Sequence, residues 1–212
     1  MLKNLPDIRL QKINDSVFTD KKLNVFMLRL DQSDQFISGN KWFKLKYNLI
    51  EAEKHNYTTL LTFGGAYSNH IHATAAAARQ FGFASIGIIR GEATTPLNQT
   101  LTDVVNMGMH LHYINRNSYR NKKDPEFLVS LINQFSAEYG KICIVPEGGT
   151  NTLALKGAAE IPALIDIDYN YLCLACGTGG TLAGITTALK KQDKIKIIGF
   201  PALKGADFLY DE

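Results

Sequence analysis

No apolar run in the sequence approaches the length of a membrane span, and the opening segment "MLKNLPDIRLQ" carries no apolar block of the signal-peptide kind. A membrane-embedded or exported chain is therefore not expected. No Lys/Arg run of nucleic-acid-binding type occurs. The nearest, "YRNKKD", is short and reads as a solvated loop, and the net charge is only +3. Cysteine is scarce. The three residues, Cys143, Cys173 and Cys176, are odd in number and lie in apolar surroundings. That argues against a closed disulfide framework and predicts a reduced, cytoplasmic protein. Internal repeats, low-complexity segments and obvious linkers are also missing. What remains is ordinary for a globular chain: 212 residues, 45% hydrophobic and 20% charged, enough for one large domain or two small ones.

Apolar, β-branched runs alternate with helical patterns. Strands are predicted at 25–30, 58–65, 84–91, 109–115, 141–149, 171–177 and 194–201. Between them, "KWFKLKYNLIEAEKH" carries an apolar stripe at Trp42, Leu45, Leu49 and Ala52. "SNHIHATAAAARQFG" starts at an N-cap, Ser68, and stops at Gly82. "TPLNQTLTDVVNMG" is expected to start with a Thr95 cap and Pro96 in the first turn, and "DPEFLVSLINQFSAEYG" with Asp124 and Pro125, closing at Gly140. This alternation predicts an α/β protein with mostly parallel sheets. The last segment, "PALKGADFLYDE", follows a strand where such a sheet would continue with a helix. A continuation beyond the given chain is expected.

Three stretches could carry chemistry. In "SGNKWFKLKYN", Lys41 and Lys44 are spaced i, i+3 and share a helix face. Two close ammonium groups disfavour each other's charge, and partial burial lowers the pKa further, which makes a lysine a nucleophile able to form a Schiff base. The plainer reading, two solvated lysines on a surface helix, stays open on spacing alone. In "CGTGGTLAG", a strand runs through Gly177, Thr178, Gly179, Gly180 and Thr181 into a helix. Close backbone approach, hydroxyls and a helix N-terminus make an anion or phosphate cradle, with a tight turn of packing glycines as the alternative. It is not a Walker loop and lacks the dinucleotide spacing. In "TFGGAYSNHIHATAAAA", a strand ends at Gly64-Gly65 and a helix starts at Ser68-Asn69. Ser68, Asn69 and His70 would present a hydroxyl, an amide and an imidazole suited to a carboxylate, against plain N-capping as the alternative.

Weaker signals complete the survey. Cys173 and Cys176 form a C-x-x-C without a second ligand pair, and on a strand they face opposite ways, so buried apolar cysteines are expected and no metal site. His70 and His72 fall on opposite helix faces. His110 and His112 can share a strand face, read as a solvated edge. "EGGTNTLALKG" is a further glycine turn into a helix, expected to line the same cleft or to be a helix start capped by Thr150 or Asn151.

A reactive lysine, a phosphate cradle and a carboxylate-binding turn are the three parts that pyridoxal 5'-phosphate chemistry needs. At these residues the chain also resembles the tryptophan-synthase-β-like (fold type II) pyridoxal-phosphate enzymes, specifically the 1-aminocyclopropane-1-carboxylate deaminase/D-cysteine desulfhydrase family. The likeness rests on Gly39-Asn40-Lys41, Lys44-Leu45 and Tyr47, and on Gly64-Gly65 with Ser68-Asn69. It runs through nearly the whole chain. Trp42-Phe43 and Tyr67 depart from the residue types usual at those places.

The resemblance implies the following. Lys41 is the Schiff-base lysine and Lys44 helps hold the cofactor phosphate. Ser68 is the catalytic hydroxyl, acting as base or nucleophile, and Asn69 contacts the cofactor ring hydroxyl. The turn from Ser68 to His70 binds the substrate carboxylate, and Gly177, Thr178, Gly179, Gly180 and Thr181 cradle the phosphate. The implied reaction acts on 1-aminocyclopropane-1-carboxylate or a D-amino acid such as D-cysteine and releases a keto acid and ammonia. The implied fold is α/β, a two-domain open twisted parallel-sheet architecture, in a homodimer. The larger domain would combine 1–44 with 150–212, and the smaller would be 45–149. The family normally continues past this point, so the pyridine-nitrogen partner is not expected within these residues. A serine/threonine dehydratase or cysteine-synthase relative, a non-catalytic cofactor- or amino-acid-binding protein, and a phosphosugar- or nucleotide-binding α/β protein remain alternatives.

Overall fold

Short runs of Val, Ile, Leu and Phe become strands, and helices fill the intervals. A computed structural model describes residues 7–190, 192, 194–202 and 204–210. In chain order the elements are β1 (Leu10–Ile13), α1 (Ser16–Asp20), β2 (Val25–Leu28), α2 (Asn40–Lys54), β3 (Thr59–Gly64), α3 (Asn69–Phe81), β4 (Ala84–Arg90), α4 (Gln99–Asn106), β5 (Met109–Ile114), α5 (Arg116–Tyr119), α6 (Pro125–Tyr139), β6 (Ile142–Val145), α7 (Thr152–Ala158), β7 (Tyr171–Cys176), α8 (Gly180–Leu189) and β8 (Lys196–Pro201). Short 3₁₀ turns lie between some of them. The strands form a four-stranded parallel sheet, a two-stranded parallel pair β7-β8, and an antiparallel pair β1-β2.

The order β5-β4-β3-β6 matters for function. From β3 the chain builds outward through β4 and β5, then returns to place β6 on the other side of β3. The direction of winding therefore reverses between β3 and β6, and the crevice beyond their carboxyl ends is where an open α/β sheet binds ligands. β3 is buried at all six positions, as a central parallel strand should be. Its side chains alternate between two cores. Leu60 packs toward α2 and α3 with Ala73 and Ala76–Ala78, whereas Leu61 and Phe63 join Leu131 and Phe135 of α6.

The four stripe residues of α2, Trp42, Leu45, Leu49 and Ala52, are all buried. Ser68 caps α3 and Gly82 ends it in the left-handed conformation; Asp124 caps α6, Pro125 is its first residue and Gly140 closes it. Three points differ from the sequence reading. α4 begins after Asn98, whose side chain accepts from the Leu101 N–H at 3.0 Å, so Thr95 and Pro96 lie outside the helix. β1 was not legible: "LQKI" has little β signal and is a strand because β2 pairs with it. Cys173 is exposed and Cys176 buried, since alternate positions of β7 face opposite ways. His110 and His112 do share a face of β5, an edge strand as expected, with His110 exposed, His112 half-buried and the Phe135 ring centroid 5.9 and 5.2 Å away.

Candidate active site

The chain reversal that starts α2 decides where its lysines go. Gly39 has φ 71°, a left-handed conformation with open space around it. The helix starts at once, so Lys41 and Lys44 fall in its first turn and a half, and both reach a cavity of about 210 Å³. That cavity is bounded by the carboxyl ends of β3, β6 and β7 and the N-termini of α2, α3 and α8. All ten residues singled out in the sequence line it: Lys41, Lys44, Ser68, Asn69, His70, Gly177, Thr178, Gly179, Gly180 and Thr181. The contributions of α2 and α8 come from distant parts of the chain, Asn40 and Thr181 being 141 positions apart.

Neither lysine is a solvated surface lysine. Burial pushes the Lys41 ammonium below its ordinary pKa of 10.5. The cause is lost hydration, which disfavours the charged form. Lys41 Nζ donates to Asn40 Oδ1 at 3.2 Å, and Asn40 Nδ2 donates to Thr181 Oγ1 at 2.7 Å. Lys44 is 1% exposed. Its Nζ donates to Thr150 Oγ1 at 3.1 Å and lies 3.5 Å from Thr178 Oγ1, and those two hydroxyls are 2.7 Å apart.

These groups surround the start of α8. Gly179 is left-handed (φ 77°) and no side chain caps the helix, so its first N–H groups point into the cavity with the positive end of the helix dipole. A Cβ on Gly180 would lie 2.9 Å from Thr150 Oγ1 and 3.0 Å from Lys44 Nζ. Lysine ammonium, threonine hydroxyls and uncapped N–H groups converge on one point and leave no room for a side chain. That donor set fits a phosphate.

At the other end, Ser68 does what an N-cap does: its Oγ accepts from the N–H groups of His70 at 3.2 Å and Ile71 at 3.3 Å. Its own hydroxyl proton stays available to the cavity. Asn69 is exposed beside it. His70 is buried at 2% exposure. Its Nε2 is 2.8 Å from Thr62 Oγ1, and Thr62 Oγ1 donates to the Val145 carbonyl at 2.8 Å. Since the single Thr62 proton is committed to Val145, Nε2 carries the ring proton and donates to Thr62. Burial first, and then Lys41 and Lys44, hold the His70 pKa well below 6.5. The ring is thus a neutral floor to the site.

Some site residues were hidden in the sequence. Asn151, not Thr150, caps α7, its Oδ1 accepting from the Ala154 N–H at 2.9 Å. That leaves the Thr150 hydroxyl for Lys44. Asn40 also lines the cavity, and so do Glu147 and Gly148 of the glycine turn that was expected to line this cleft. Glu147 accepts from the Tyr119 hydroxyl at 2.6 Å and pairs with Lys122 at 3.3 Å. No local pattern announces contacts between segments so far apart. Among the described residues no cluster of three or more His, Cys, Asp or Glu could hold a metal.

Residues 12–212 match the family model described as pyridoxal-phosphate dependent enzyme. The chain is similar to the mitochondrial bifunctional D-cysteine desulfhydrase/1-aminocyclopropane-1-carboxylate deaminase of Arabidopsis thaliana, 29% identical over 203 residues, which is 88% of this chain and 50% of that one. It is similar to a putative 1-aminocyclopropane-1-carboxylate deaminase of Thermotoga maritima, 30% identical over 171 residues, 78% of this chain and 54% of that one. The chain thus spans about half the length of the curated relatives it matches. A crystal structure described as that of an ACC deaminase homologue superimposes with a TM-score of 0.83 at 23% identity, covering 100% of this chain and 65% of that one. The parallel-sheet α/β fold expected from the sequence, fold type II, is the fold of that structure.

Proposed function

The chain belongs to the pyridoxal-phosphate dependent enzyme family, and from that premise we propose that it serves a deaminase or β-eliminating reaction. The substrate is 1-aminocyclopropane-1-carboxylate or a D-amino acid such as D-cysteine, and the products are a keto acid and ammonia. The observation that carries the reading is the meeting of a half-buried, pKa-lowered Lys41 with a phosphate-shaped donor set and the Ser68-Asn69 turn in one cavity. The family's cofactor is pyridoxal phosphate. Bound here, it would supply an electron sink for negative charge developing on the substrate.

The chain's own residues divide the remaining work. Lys44, Thr150, Thr178, Thr181 and the N-terminus of α8 hold the phosphate. Lys41 is the lysine that bonds the cofactor. Its amine, neutral more readily than an ordinary lysine's, takes or returns a proton at the substrate carbon, with Asn40 Oδ1 accepting its N–H. The Ser68 hydroxyl stands at the start of α3, where the helix dipole favours an anion, and serves the reaction as base or nucleophile. Asn69 and the backbone of the 68–70 turn receive the substrate carboxylate. We place the active form in a homodimer and in a reduced cytoplasm, in keeping with three free cysteines. We divide the chain into a large unit, 1–44 with 150–212, and a small one, 45–149. The boundary at 44/45 lies inside the continuous helix α2.

The test is the visible absorption spectrum of the purified chain with added pyridoxal phosphate, beside Lys41→Ala. A band that borohydride fixes onto Lys41, absent from the variant, is the expected result. Ammonia and keto-acid release is then compared for D-cysteine and 1-aminocyclopropane-1-carboxylate against L-serine and O-acetyl-L-serine. A well-folded chain with no band refutes the cofactor reading, and turnover confined to the L-serine group refutes the substrate.

A further inference from the structure

We propose that Asn48 is a positioning residue for the phosphate end of this site, acting through a reciprocal amide pair with Asn151 that holds Lys44 and Thr150 at their working distance; the inference rests on the cofactor reading above. Lys44 and Thr150 are 106 residues apart in sequence and belong to different elements. A lysine side chain has many rotamers, and Thr150 stands on a loop just ahead of α7. Something must keep the two together. One helical turn beyond Lys44 is Asn48, only 3% exposed.

Every polar function of Asn48 is engaged. Its Nδ2 donates to the Lys44 carbonyl at 2.8 Å and to Asn151 Oδ1 at 3.3 Å, while its Oδ1 accepts from Asn151 Nδ2 at 2.7 Å. The orientation of both amides follows. Asn151 Oδ1 must be oxygen because it accepts from the Ala154 N–H at 2.9 Å. Its other end is then a donor, which obliges Asn48 to present oxygen to it and NH₂ to Lys44. One amide therefore grips the backbone that carries Lys44, and the other starts the helix that follows Thr150. Neither asparagine lines the cavity, so both act only through the residues they hold.

This geometry predicts a selective loss. Replacing Asn48 by Leu leaves the half-buried Asn151 amide without its partner and frees Thr150 relative to Lys44, while Lys41 and Ser68 keep their places. Asn151→Ser keeps an oxygen able to cap α7 but removes the amide. The experiment measures equilibrium binding of pyridoxal phosphate and of pyridoxal, which lacks the phosphate, to wild type, Asn48→Leu and Asn151→Ser. Thermal melting is followed alongside. In both variants the preference for the phosphorylated ligand should fall about 10-fold, with pyridoxal affinity within about two-fold of wild type. Folded variants that keep the wild-type preference overturn the proposal. So does a parallel loss of both ligands, which marks a merely structural role. If Asn48→Leu does not fold, Asn151→Ser decides by the same criteria. A wild type with no preference for pyridoxal phosphate over pyridoxal overturns the phosphate cradle itself, and this inference with it.

Discussion

Gly157 is the position where the packing behind the site can be tested most sharply. It lies in α7, against the backbone of α2. A Cβ built there would sit 1.9 Å from the Phe43 carbonyl oxygen and 2.8 Å from its carbon. Contact between such atoms is comfortable only at about 3.5 Å, so Gly157→Ala must drive the helices roughly 1.5 Å apart at this point. The obstacle is backbone on both sides, and no side chain can rotate away. Phe43 lies between Lys41 and Lys44, and it is itself fully buried. The displacement therefore passes directly to the Lys44–Thr150 contact of 3.1 Å and to the Asn48–Asn151 pair. Overpacking of this kind costs about 3 kcal/mol. Urea denaturation of the cofactor-free chain should show a lower midpoint with an unchanged slope. Titration with pyridoxal phosphate should show weaker binding. Gly177→Ala is the counterpart, because a Cβ there meets nothing within 4 Å. It should leave the denaturation midpoint within about 0.5 kcal/mol of wild type. A Gly157→Ala chain with the wild-type midpoint would refute the helix contact and the argument built on it.

Three further predictions follow from the electrostatics. Lys41→Met should stabilise the cofactor-free chain near neutral pH, because the folded state holds Lys41's proton less tightly than the unfolded state does. That advantage should shrink as pH rises toward 10.5, and urea midpoints at several pH values would show it. His70 has the same sign at lower pH: below 6.5 the unfolded chain takes up a proton that the folded ring refuses, so stability falls on acidification. His70→Asn should flatten that fall by at most one proton's worth per pH unit in urea melts between pH 7 and 5. Glu160 accepts from the Tyr47 hydroxyl and pairs with Lys46 at 2.6 Å, and Lys46 is 7% exposed. The hydrogen bond to Glu160, with burial and the carboxylate charge, pushes the Tyr47 hydroxyl up to about 12. Glu160→Gln should bring the Tyr47 ultraviolet titration back toward 10.0 and destabilise the chain by about 2 kcal/mol, since it strands a buried ammonium.

Much of this molecule can be read from local residue order. The alternation of apolar strands with capped helices determined the α/β class, because backbone pairing and burial act over a few residues at a time. Ser68, Asp124, Gly82 and Gly140 marked helix ends through rules that need only neighbouring positions. The glycine turns at 64–65, 148–149 and 177–180 and the i, i+3 lysines named the site residues, because the chemistry of each motif is local. Tertiary structure decided the rest. β1 exists because β2 lies beside it. The environment of Lys41 reflects burial, which spacing does not encode. The choice between Thr150 and Asn151 as cap was open in the sequence. It was settled by Asn48 and Lys44, each about a hundred residues away, which compete for the two side chains. The convergence of Lys44, Thr150, Thr178 and Gly180 belongs to the reversal of winding between β3 and β6 and the packing of α7 between α2 and α8. Contacts between segments so distant in the chain arise only once the sheet order has brought them together.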